Sequence, residues 1–268
     1  MPEPPLHSVH NAVQLLGLFS RKRRELGLTE IARSLALTKQ STLRLLTTLT
    51  EGGLIERVPG QTTYRLGLRL WELGCNAIDR AGQHERLHPI VEHLEAAAGF
   101  GALLTAYAAG GETVLVDVVQ GSNQIHLNAP LGVRWPACTP ATGRPLLAFQ
   151  PEDEIDRVLS AGIRRYTPRT ITDPEALRAE LTRVRRDHLA IDRGELNTHL
   201  WAVGAPVFNE HGAVAFAVAV VGPPAELQQA SLTRIGGLVK AAANDLSRLL
   251  GAPPGLTDGV GEIDVATA

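Results

Sequence analysis

Through the first fifty residues the apolar positions recur with a helical period. Val9, Val13, Leu16 and Phe19 fall three or four apart, and Ser8 is placed to cap that helix at its start. Thr29 is placed to cap a second, short helix whose inward positions are Ile31, Ala32 and Leu35. Ala36 and Leu37 make a tight connection, and Thr38 then caps a third helix with Thr42, Leu45, Leu46 and Leu49 at i, i+3, i+4 and i+7. Gly52 and Gly53 end it, because glycine tolerates the left-handed cap conformation. Two alternating runs follow, 54–58 and 63–66, joined by Pro59, Gly60, Gln61 and Thr62, and predict a hairpin.

The pattern then changes. Residues 68–82 predict a linking helix with Leu70, Leu73 and Ala77 on one side, and a further helix covers about 89–98. Strand-like runs occupy 102–108, 113–119 and 124–128, with Gly110 and Gly111 as a turn. Helical segments follow at about 141–149, 152–160 and 174–187, the last with Asp173 as its cap and Pro174 at its first position. Runs 201–208 and 213–221 form a hairpin around Asn209, Glu210, His211 and Gly212, and one long helix covers about 226–249. Strands first, helices between and a hairpin last predict an α+β domain with an antiparallel-rich sheet. The predicted organisation is a helix-turn-helix with a β-wing over 1–67, a linker helix over 68–82, an α+β domain over 83–250 and a loose tail over 251–268.

Composition adds bounds. The chain has 268 residues, 44% hydrophobic and 20% charged, which is enough apolar material for a sizeable core. No apolar run approaches the roughly 18 residues of a membrane span, and Met1 is followed by Pro-Glu-Pro-Pro rather than a signal-peptide pattern. A cytoplasmic protein without a membrane partner is expected. Two cysteines are too few for a disulfide framework or a Cys-rich zinc site. Charge is uneven: residues 1–67 hold 9 Lys+Arg against 5 Asp+Glu, and the remainder is net acidic. That asymmetry fits a basic module that meets a polyanion, and it equally fits ordinary variation of a surface.

The third helix carries the sharper signal. A helix-turn-helix lays its second helix in the major groove of duplex DNA. The outward positions there are Lys39, Gln40, Ser41, Leu43, Arg44 and Thr47. Gln pairs with adenine and Arg with guanine, an exposed Leu touches a thymine methyl, and Lys, Ser and free amides at the helix start suit phosphate. Arg57, Thr62 and Arg65 on the hairpin would lie near backbone or minor groove. Three short helices with a hairpin also occur in protein-docking modules that hold no nucleic acid.

The runs Leu28-Thr29-Glu30-Ile31-Ala32, Thr38 through Leu49, Gly53-Leu54-Ile55-Glu56-Arg57 and Tyr64-Arg65-Leu66-Gly67 resemble the N-terminal domain of the IclR family of bacterial transcription regulators. Pro136 through Phe149, Thr167 through Asp173, Val203 through Phe208 and Val221-Gly222-Pro223 are similar to further signatures of that family, so the likeness covers about 8–250. The resemblance implies a winged helix-turn-helix joined to a GAF-like effector domain. It also implies dimers through the N-terminal region and linker helix, commonly tetramers through the effector domains, on a near-palindromic operator, as a repressor. By the same resemblance the effector pocket would involve Leu127, Ala141, Thr142, Asp192, Ala202, Ala219 and Val221. Some family members that bind small carboxylates hold a cysteine at the position of Ala202 and serines at those of Ala219 and Val221. With those hydrogen-bonding groups gone, an effector more apolar than glyoxylate or pyruvate is expected: aromatic or a larger hydrophobic acid, with amides near Thr142 and Gly143 holding one anionic group. A sealed core without ligand is the alternative.

His84-Glu85-Arg86-Leu87-His88 matches the HExxH pattern of zinc hydrolases, in which two His one turn apart bind metal and the Glu is general base. Pro89 biases His88 away from helical backbone and is expected to open the next helix, which would leave the two imidazoles on different faces. No third ligand stands out, since Glu112 and His93 are poorly placed. Cys138, with His126 as a distant partner, reads as a buried thiol rather than a nucleophile. No enzyme activity, cofactor or metal is expected.

Overall fold

The computed structural model describes residues 6–20, 22–78, 83–121 and 129–256. The chain divides into two compact units, Met1–Ala81 and Gly82–Ala268.

In the first unit, α1 (His7–Gly17), β1 (Leu26–Gly27), α2 (Leu28–Ser34), α3 (Lys39–Glu51), β2 (Ile55–Arg57), β3 (Thr63–Leu66) and α4 (Arg69–Ile78) follow in order. Leu15, Phe19, Leu26, Ile31, Leu46, Leu49 and Ile55 form the core. Two expected caps move. α1 starts at His7 after Leu6 and has no side-chain cap; Ser8 lies inside the helix, past the position from which its hydroxyl meets the free amides. α2 starts at Leu28 with Gly27 as N-cap, not at Thr29, because Leu26 and Gly27 pair with Tyr64 and Thr63 as a third strand and the helix begins directly after it. Val9 and Val13 are exposed; the buried side of α1 runs through Leu15 toward Phe19. Thr38 caps α3, its hydroxyl accepting the Ser41 amide at 3.1 Å. Gly53, at φ +69°, lets Leu54 N–H donate back to the Leu49 carbonyl and ends the helix.

The second unit contains α5 (Gln83–Ala98), β4 (Gly101–Ala108), β5 (Glu112–Val119), β6 (Arg134–Pro136), α6 (Arg144–Ala148), α7 (Glu152–Ser160), α8 (Pro174–Asp187), β7 (Ala190–Asp192), β8 (Trp201–Phe208), β9 (Val214–Gly222), α9 (Pro224–Gln229) and α10 (Leu232–Leu249). One antiparallel sheet runs in the order β6-β5-β4-β9-β8-β7. Alternation sorts its side chains onto two faces. Ala102, Leu104, Val203, Ala205, Val218 and Val220 pack against α5 and α10. Leu103, Leu115, Ala202 and Val221 pack against α6, α7 and α8. The α+β expectation is met.

Three expectations in this unit change. α5 starts six residues before Pro89 and carries the proline within it, so His84 and His88 share one helix. An internal proline costs roughly 3 kcal/mol. Leu87, Val91, Leu94 and Ala98, all buried at 3–4 spacing, offset that cost. The long helix expected at 226–249 is two, α9 and α10, broken at Ser231 with φ +67°. Leu227 and Leu232 are both buried yet five residues apart, more than a third of a turn out of phase on a continuous helix; the break lets both reach the core. Part of the expected loose tail is held: Ala252 N–H donates to the Ser247 carbonyl, and Leu256 lies over Gly212. The strand expected at 124–128, Arg21, residues 79–82 and the tail beyond 256 lie outside the described residues.

Candidate functional site

The first unit presents one helix outward on a fixed base. Thr42, Leu46 and Leu49 are buried, which turns the opposite side of α3 to solvent. Lys39, Gln40, Ser41, Leu43, Arg44 and Thr47 are all exposed on that side. The turn before it is set by Ala36, at φ +52°, with Leu37 N–H donating to the Ala32 carbonyl at 2.9 Å. Thr47 donates its hydroxyl to the Leu43 carbonyl, so its methyl rather than its O–H is presented. On the hairpin, Arg57 and Thr62 are exposed at the turn end. Arg65 is held differently: its Nε and Nη2 both donate to Glu56, at 3.1 and 3.0 Å. A phosphate contact by Arg65 therefore has to compete with that ion pair.

The second unit contains a cavity of about 580 Å³ between the sheet and the segments around α6 and before β8. Its walls are mostly apolar: Leu103, Val221 and Ala202 from the sheet, Ala129, Trp135 and Pro140 from one side, Leu196, Leu200 and Trp201 from the other. Thr142, Asp192, Asn197 and His199 supply the polar groups. Of the seven expected pocket residues, Thr142, Asp192, Ala202 and Val221 line the cavity. Ala141 and Ala219 do not. Both are fully buried behind the wall, and both press on Gly204, where a Cβ would collide with the Ala141 carbonyl oxygen and stand 3.3 Å from the Ala219 Cβ. Leu127 and His126 lie outside the described residues. Of the amides expected near Thr142 and Gly143 to hold an anion, that of Gly143 is already used: it donates to the Pro140 carbonyl at 2.9 Å, as does that of Arg144 at 3.1 Å.

Behind the cavity a buried ionic cluster fixes the loop that follows β7. Arg144 is 1% exposed; it pairs with Glu195, reaches Glu180 at 3.2 Å and donates to the Ile191 carbonyl at 3.1 Å. Asp192 accepts the Glu195 amide at 2.7 Å, and Thr170 donates its hydroxyl to the Glu195 carbonyl at the same distance. Burial pushes the Glu195 carboxyl up to about 7 against the pull of Arg144, and burial also raises that of Asp192. The sequence reading missed this cluster, although Arg144 beside Gly143 and acidic residues at 180 and 195 carried its signal.

The HExxH segment has a structural use. His88 Nδ1 lies 2.8 Å from Asp117 Oδ2, and Nε2 lies 3.3 Å from Glu92 Oε1, so both ring nitrogens face carboxylates. The described residues contain no group of three or more His, Cys, Asp or Glu fit to hold a metal. Cys138 is a buried free thiol.

A capped outward helix with a β-wing, joined to an α+β unit that encloses an apolar cavity, defines a DNA-binding regulator with a small-molecule sensor. The IclR helix-turn-helix domain matches over residues 8–59, and the bacterial transcriptional regulator IclR C-terminal family over 75–248. The protein belongs to the IclR family of bacterial transcriptional regulators. It is similar to the transcriptional repressor IclR of Escherichia coli K12, at 24% identity over 92% of this chain and 90% of that one. It is also similar to the crystal structure of an IclR transcriptional regulator from Alicyclobacillus acidocaldarius, with 28% identity, a TM-score of 0.80, and coverage of 92% of this chain and all of that one. A third structure shares the fold at 24% identity and a TM-score of 0.78, over 91% of this chain and 98% of that one; it is an IclR homologue from Microbacterium hydrocarbonoxydans complexed with 4-hydroxybenzoate. No helix among the described residues is long and apolar enough to cross a membrane.

Proposed function

We propose that this protein is a cytoplasmic repressor, without catalytic activity, whose α3 reads one half of a near-palindromic operator. The observation that carries the reading is the sorting of α3: one side locked into the core through Thr42, Leu46 and Leu49, the other presenting Lys39, Gln40, Ser41, Leu43, Arg44 and Thr47. Gln40 and Arg44 read base edges, Leu43 meets a thymine methyl, and the side chains of Lys39 and Ser41 with the amides of Lys39 and Gln40 hold phosphate. Arg57, Thr62 and Arg65 place the wing against the backbone.

One such helix reads only a few base pairs, so useful specificity needs two copies. Leu6 with Val9 and Val13 of α1, and Leu68 with Trp71 of α4, are large, apolar and exposed, which supports pairing of protomers through this unit; tetramers would add contacts between effector domains. The cavity receives the effector, with Thr142, Asp192, Ala202 and Val221 in direct contact and Ala141 and Ala219 shaping its wall. Its apolar lining and two tryptophans favour an effector more apolar than glyoxylate or pyruvate, and the 4-hydroxybenzoate bound by the Microbacterium homologue supports a ring compound. An effector that prefers one spacing of the paired DNA-binding units shifts operator affinity by that preference.

Sequencing genomic fragments retained by the purified full-length protein, with and without ring compounds, tests this. A shared near-palindrome, protected in footprinting and released by a compound, is the expected result. Absence of any enriched sequence at modest ionic strength overturns the reading.

A further inference from the structure

The cavity is unusual in what its polar groups lack. No Lys or Arg is among its described lining residues. The base that does line it, His199, stands on the exposed rim. The one acid, Asp192, is buried and directed at the Glu195 amide. The Gly143 and Arg144 amides are spent on the Pro140 carbonyl. A carboxylate seated here would meet a second carboxyl and no cation on the lining, the Arg144 behind it being already paired with Glu195 and Glu180, and in an apolar surround that is disfavoured.

Two hydrogen-bonding side chains on the same lining are, by contrast, idle. Thr142 is 2% exposed and its Oγ1 has no partner among the described residues; the Trp201 Nε1–H is also buried without an acceptor. Buried polar groups without a partner are uncommon and mark a place where a further group belongs. Thr142 and Trp201 both offer a proton and neither brings charge.

We propose that the cavity takes an uncharged, largely apolar ring compound carrying an acceptor oxygen, an ester, lactone, amide or ketone rather than a free acid, with the Thr142 hydroxyl and the Trp201 indole N–H donating to it. This rests on the reading of the cavity as the effector site, and it narrows the effector from a hydrophobic acid to a neutral molecule. The two aromatic walls, Trp135 and Trp201, suit a flat ring.

Calorimetric titration of the full-length protein with methyl 4-hydroxybenzoate and with 4-hydroxybenzoate, at pH 7.5, separates the cases. The ester is expected to bind at least about tenfold more tightly than the acid. Thr142→Val, which is near-isosteric, and Trp201→Phe, which keeps an aromatic ring, each remove one donor and are each expected to weaken the ester by roughly three- to tenfold. Thr142→Val should not lower the thermal midpoint of the unliganded protein, because it is near-isosteric and removes an unpaired hydroxyl; that keeps folding apart from recognition. Ala202→Trp, which fills the cavity, should abolish ester binding. Tighter binding of the acid, or full affinity in both donor variants, overturns the neutral-ligand assignment and leaves the cavity reading in place. Unchanged ester affinity in Ala202→Trp, or no heat from any acid or ester from benzoate to naphthoate, overturns the cavity reading itself.

Discussion

Replacing Arg144 with Met removes the cation that the effector domain buries behind its cavity. Arg144 pairs with Glu195 and Glu180. Glu180 keeps a second partner, Arg183, at 2.7 Å, whereas Arg144 is the only ion-pair partner of Glu195 among the described residues. Breaking a buried pair from one side costs about 3–5 kcal/mol, because the other charge stays behind. The cost here should depend on pH. In the wild-type protein the Glu195 carboxyl is raised from an ordinary 4.5 to about 7, so its contribution to stability is full below 4.5 and is lost as the pH rises through 7. At 1.36 kcal/mol per pH decade that span is worth at most about 3 kcal/mol. Without Arg144 the carboxyl is raised further, and the loss continues to higher pH. Urea denaturation of the wild type and Arg144→Met at pH 5 and pH 8 should therefore show a larger difference at pH 8. Adding Glu195→Gln to Arg144→Met should remove most of that pH dependence. Equal differences at both pH values, or a loss below about 1 kcal/mol, would refute the assignment of Glu195 as a charge stranded by the change.

Thr38→Ala removes the cap of α3 and should lower the stability of the first unit by about 1 kcal/mol, read as a shifted first transition, with weaker operator retention. Arg44→Ala should cost about 1–3 kcal/mol on the preferred operator and relax one base position, whereas Lys39→Ala should weaken all sequences alike and flatten the salt dependence; competition binding across operator variants distinguishes them. Gly204→Ala should destabilise the effector domain and shrink its cavity, seen as a lower thermal midpoint together with lost ligand binding, because the new Cβ meets the Ala141 carbonyl. The His88 pKa is raised chiefly by its hydrogen bond to Asp117. Its support for α5 against β5 is thus full below about 6.5 and lost as the pH rises through the raised value. His88 is partly exposed and the pair is worth about 0.5 kcal/mol after screening; Asp117→Asn should flatten the fall in stability above about pH 6.5, and an unchanged profile would exclude the pair.

The elements with strong local signals were legible without coordinates. Thr38 before the Thr42, Leu45, Leu46 and Leu49 stripe fixed α3, and with it the outward residues of a reading helix, because a cap and a 3.6-residue period act over a single segment. Asp173 with Pro174 marked α8 for the same reason. Elements decided by distant partners were not. β1, β6 and β7 are two or three residues long and exist only because another strand is alongside. α5 runs through Pro89 because the sheet and α10 reward the packing of Leu87 and Val91 more than the proline penalises the backbone. The cavity was half legible. Thr142, Asp192, Ala202 and Val221 line it, but Trp135, Leu196 and Trp201 come from loops and strand ends whose approach no local pattern encodes. Charge and propensity along a chain determine which segments fold and which side they bury; only the closed tertiary packing decides which side chains share a space, and which of their hydrogen bonds remain to be made.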